Sequence, residues 1–143
     1  MSTPEHDLLH TRLSELTRAL RKLHKALIDA ATREFAEPVG SALEHLQLIT
    51  NHPHFAWLLK LSGAMAELDE RLDDAEQPLD TAAANGLRQG IEALIGPAPA
   101  IDPAFREKYT ALLHASPEVV MAHGAVRQQL DAVGPRPPAP ASK

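Results

Sequence analysis

A regular spacing of leucines near the N-terminus constrains the fold of this chain more than any other feature of its sequence. They recur at alternating steps of four and three residues: Leu9, Leu13, Leu16, Leu20, Leu23 and Leu27. This heptad spacing places all six on one narrow face of an α-helix. We predict a first helix from Glu5 to Phe35, roughly 45 Å long at 1.5 Å per residue. Because this is long for a small domain, we name the six leucines a candidate self-association seam. The sequence leaves open whether they pack within one chain or across a dimer.

The segment from His52 to Leu72 holds the single tryptophan and the densest run of apolar residues. Pro53 suits the first position of a helix, and Asn51 or His52 would cap it. Apolar residues at helical spacing then define one face: Leu58, Leu61, Met65, Leu68 and Leu72. We therefore predict one continuous central helix, with Phe55 and Trp57 at the N-terminal end of its apolar face.

Capping residues and prolines predict the other helices. Ser41 and Glu44 form a capping box, and Asp102-Pro103 and Ser116-Pro117 each place a capping side chain before a proline. These signals and the apolar spacing predict helices over residues 41–50, 79–95, 103–115 and 117–133. The predicted fold class is all-α, an irregular bundle of about six helices. It has a long first helix, a short crossing second helix, a central third helix, a fourth helix and a bent arm of the fifth and sixth. We predict one domain over residues 1–133 and a disordered proline-rich tail over 134–143.

Composition excludes several classes of function. The 143 residues suit one domain, and the absence of cysteine excludes disulfides, thiolate catalysis and cysteine-ligated metal sites. The net charge of −5 argues against nucleic-acid binding by the surface as a whole and leaves only a local basic face to consider. We interpret four basic residues opposite the leucines as a solvated face, since no aromatic residue is interleaved with them: Arg18, Arg21, Lys22 and Lys25. Neither a secretory signal nor an apolar run of about 18 residues is present, so we expect a cytoplasmic protein with no membrane partner.

Eight histidines make a metal site the first chemistry to test. His6 and His10 share a helix face, but a closed site needs two further ligands, so we predict no metal and no cofactor. His52 and His54 flank a proline beside Phe55 and Trp57, and these four residues form our candidate ligand or partner surface. In the simpler interpretation His52 caps a helix and His54 is exposed. No convergent acid–base pair or activated nucleophile is recognisable, so we predict a protein that is not an enzyme.

The middle of the chain resembles a group of short, uncharacterised bacterial helical proteins. Their central segment reads His-Pro-x-Phe-Ala-Trp-Leu, followed by Leu-Ser and an Asp-Glu pair. The matching residues are His52, Pro53, Phe55, Ala56, Trp57, Leu58, Leu61, Ser62, Asp69 and Glu70. The resemblance covers about residues 40 to 72, and Leu59-Lys60 stand where the pattern continues Arg-Pro. It implies a small bacterial protein and supplies no activity.

These observations lead to two hypotheses of different classes. The first is a non-enzymatic helical protein that acts through protein–protein contact, as a homodimer or with another protein partner. The alternative is a small-ligand-binding or sensor module with a pocket near His52, His54 and Trp57.

Overall fold

The computed structural model describes residues 3–35, 40–74, 76–96 and 99–133. Within these ranges the chain forms seven α-helices and no strand, which confirms the all-α fold class. The helices are α1 (Pro4–Glu34), α2 (Ala42–Asn51), α3 (Pro53–Ala56), α4 (Leu59–Asp73), α5 (Thr81–Ile95), α6 (Pro103–Ala115) and α7 (Pro117–Val133). None of the described helices combines the length and the apolar character that a membrane crossing needs. The tail over residues 134–143, which we predict to be disordered, lies outside the described ranges.

Side-chain caps fix where most of the helices begin. Thr3 accepts a hydrogen bond from the backbone N–H of His6, and Pro4 follows it as the first residue of α1. Asp102 accepts from the N–H of Phe105 before α6, and Ser116 Oγ accepts from the N–H of Val119 before α7. The predicted bounds of α6 and α7 are therefore confirmed to the residue. The predicted fourth helix corresponds to α5, which begins at Thr81 and not at residue 79. It begins two residues later than predicted because Asp80 caps it by accepting from the N–H of Ala83.

The long helix α1 is the centre of the bundle and packs most extensively against α7 and α4. The two partners run antiparallel to it. Near its start, Arg12 donates to the carbonyl of Ala132 at the end of α7, and near its end Arg33 lies 3.5 Å from Ser116. His10 likewise reaches the carbonyl of Leu72, at the far end of α4. The buried residues form one hydrophobic cluster, to which every described helix except α2 contributes.

The prediction of one continuous central helix is wrong. The helix divides into α3 and α4, with a turn at Trp57 and Leu58. The indole N–H of Trp57 donates to the carbonyl of His54 at 3.0 Å, and that carbonyl would otherwise accept from the backbone N–H of Leu58. The N–H of Leu58 bonds to the carbonyl of Phe55 instead. The indole N–H thus takes the place of the backbone N–H at this carbonyl, where the helix tightens to three-residue spacing.

Two cationic side chains position α6. The guanidinium of Arg106 donates to the carbonyls of Glu92, Ala93 and Leu94, which closes the C-terminal end of α5. Lys60 of α4 forms an ion pair with Asp102. The hydrogen bond from Lys60, followed by that from the N–H of Phe105, lowers the pKa of Asp102. Asp102 therefore stays ionised as the α6 cap.

Candidate interaction surface

The four residues of the predicted ligand or partner surface do not share one surface. Phe55 is fully buried, so its assignment to this surface is wrong. Its ring lies 5.2 Å from that of Phe35 and 4.9 Å from that of His54, which places it inside an aromatic cluster. Phe55 faces inward because the chain turns sharply at the α2–α3 corner. Its role is to anchor that corner to the end of α1.

His52 and His54 both hold backbone groups. His52 caps α3, since its Nδ1 accepts the N–H of His54 at 3.1 Å. His54 is half-buried rather than exposed, and its Nε2–H donates to the carbonyl of Ala31 at 2.7 Å. A carbonyl can only accept, so this bond fixes the proton on Nε2. The two imidazoles therefore have structural partners on α3 and α1.

Trp57 lies at the edge of the core. It is half-buried, and its ring meets Phe105 of α6 edge to face at 5.1 Å. His54 and Trp57 line a cavity of about 160 Å³, together with Lys108 and its neighbours on α1 and α6. His52 lines a separate cavity of about 590 Å³. Small-molecule sites usually measure about 300 to 1,000 Å³, so the cavity beside Trp57 is small for a ligand.

The six leucines of the candidate seam all lie in the core of a single chain. Leu13, Leu16, Leu20, Leu23 and Leu27 are fully buried, and Leu9 is nearly so. The helices that pack most extensively against α1 are α7 and α4 of the same chain. A second copy is therefore not needed to shield this face, and self-association through it would require the bundle to open.

His6 and His10, the pair weighed as metal ligands, also hold backbone groups. Nδ1 of His6 accepts the N–H of Leu79 at 2.8 Å, and Nε2–H of His10 donates to the carbonyl of Leu72. Together they tie the start of α1 to the connection between α4 and α5. Within the described ranges, no three potential ligands among histidine, aspartate and glutamate converge on one point.

One serine–histidine pair resembles part of a catalytic site. Ser62 Oγ lies 2.9 Å from Nε2 of His24, linking α4 to α1. Burial lowers the pKa of His24, which favours the neutral imidazole. Ser62 lies inside α4, where its own N–H is bonded to the carbonyl of Leu58. Backbone N–H groups committed to a helix cannot form an oxyanion hole, so the pair has the geometry of an interhelical link.

A second pair joins α6 to α7. The hydroxyl of Tyr109 lies 2.6 Å from Nδ1 of His123. Burial raises the pKa of the Tyr109 phenol, so the O–H remains a donor at every physiological pH. Burial also lowers the pKa of His123, and the nearby charge of Arg127 adds to this effect. The neutral phenol can therefore donate its O–H to Nδ1 of the neutral imidazole.

The feature that the sequence did not reveal is the outward face of α2. None of its described side chains is buried; Leu43 and Leu46 are 64% and 57% exposed. The helix packs against α3 and only marginally against the remaining described helices. A hydrogen bond between described side chains links it to α1, joining His45 to Thr32 at 3.0 Å. We call Leu43, Leu46 and Thr50, which share the outward face, the α2 ridge.

A groove runs beside the α2 ridge. It has a volume of about 590 Å³ and lies between the end of α1, α2 and the start of α3. Its lining residues, which we call the α2 groove, are Phe35, Glu44, Gln47, Leu48, Asn51, His52 and Pro53. Apolar side chains and neutral polar groups predominate, with one carboxylate. Of the predicted surface residues, His52 alone belongs to this groove.

Comparison with protein families, curated proteins and solved structures found no match for this chain. The resemblance of its central segment to short bacterial proteins stays a prediction. Function must therefore be argued from the geometry.

Proposed function

We propose that this is a non-enzymatic helical protein that acts through protein–protein contact, and that α2 is the element it presents. The observation that supports this proposal is the exposed pair Leu43 and Leu46 on a helix with no buried described side chain. Other exposed large apolar residues, such as Leu59 and Met121, lie on helices that bury side chains of their own. Among the described helices, α2 is the one whose main apolar face, as far as its side chains are described, is exposed.

The energetics of short helices support the same proposal. A helix of ten residues is too short to be stable in isolation and depends on packing for its stability. Within this chain α2 obtains that packing from the partly buried side chains of His45 and Leu48. Covering a leucine completely contributes roughly 1.5 to 3 kcal/mol relative to leaving it in water. A partner that covers Leu43 and Leu46 would therefore stabilise α2 while it binds.

The other candidate functions have weaker support. The histidine pairs link helices or hold backbone groups, which explains their geometry without a substrate. The ligand-binding alternative requires His52, His54 and Trp57 around one pocket, whereas they line two different cavities. We also propose a bacterial, cytoplasmic protein, on the basis of the sequence pattern.

Site-specific photocrosslinking in cells tests the proposal. A photoreactive phenylalanine analogue is placed at Leu43, and a matched control carries it at Met121, which is 76% exposed on α7. We expect a crosslinked protein band from position 43 and none from position 121. The band should disappear when Leu46→Glu is added, because a carboxylate at the contact opposes burial. No band from position 43, or the same bands from both positions, would contradict the proposal.

A further inference from the structure

We draw no further inference here: the strongest candidate, a largely apolar cleft of about 660 Å³ between the starts of α1 and α5 and the end of α7, carries none because its lining side chains Glu5, Arg12 and Thr81 already bond within the chain and nothing among the described residues shows what covers it.

Discussion

Trp57→Ala is expected to destabilise the protein by about 3 kcal/mol. The indole is half-buried, so the loss should fall at the lower end of the roughly 3 to 5 kcal/mol seen for large aromatic residues in cores. Two contributions can be separated. The edge-to-face contact with Phe105 at 5.1 Å is worth about 0.5 to 1.5 kcal/mol, and the hydrogen bond to the carbonyl of His54 about 1 kcal/mol. The remainder is lost apolar burial.

Trp57→Phe is the matched control, because it keeps an aromatic ring and removes the indole N–H. We expect a loss of about 1 kcal/mol or less for this variant. The carbonyl of His54 is then free to accept the N–H of Leu58, which offsets part of the cost and favours a continuous helix through the turn.

Urea unfolding followed by circular dichroism at 222 nm gives both free energies of unfolding without relying on the single tryptophan. For a chain of this size, 3 kcal/mol corresponds to a fall in Tm of roughly 10 °C. If Trp57→Ala loses less than about 1 kcal/mol, the side chain is not part of the core. The argument from its contacts would then be refuted.

Three further predictions rest on burial and backbone geometry. Burial lowers the pKa of His24 and of His123, so the unfolded chain binds more protons at these sites, and the free energy of unfolding should decrease as the pH falls below about 6.5. Urea unfolding at pH 8 and at pH 5.5 measures this decrease. A His24→Gln, His123→Gln double variant should lose less stability than the wild type between these two pH values, and an equal loss would contradict the prediction. Gly90→Ala should stabilise α5 by about 0.5 to 1 kcal/mol, because an added Cβ meets no described atom within 4 Å. Gly96→Ala should destabilise the protein by about 1 kcal/mol or more, because φ is 101° at this position and alanine is strained at positive φ. Equal melting temperatures for the Gly90→Ala and Gly96→Ala variants would refute the argument.

Helix ends were predictable where local chemistry decides them. The prolines and capping side chains at Asp102-Pro103 and Ser116-Pro117 act within a few residues of sequence, and α6 and α7 begin where they indicate. The turn at Trp57 was not predictable in this way. It depends on one indole N–H reaching the carbonyl of His54, and helical spacing of apolar residues carries no information about that bond.

The histidines show a similar limit. Seven of the eight use a ring nitrogen in a hydrogen bond, mostly between helices or to a backbone group. Their number suggested metal binding or acid–base catalysis, because histidine is common in both kinds of site. Imidazole also places a donor and an acceptor at opposite sides of a flat ring, which suits a link between packed helices. Sequence spacing cannot separate these roles, since both put histidine at partly buried helix positions.

The orientation of α2 shows why the candidate surface had to come from the structure. Apolar spacing identifies Leu43 and Leu46 as one face of a helix, and such a face usually points into the core. In this chain the corner at Asn51-His52-Pro53, with the bond from His45 to Thr32, turns that face outward and directs Leu48 inward. A buried face and a binding face have the same sequence pattern, because both are stabilised by removal of apolar area from water. What distinguishes them is whether the chain itself supplies the cover, and for α2 the described residues do not.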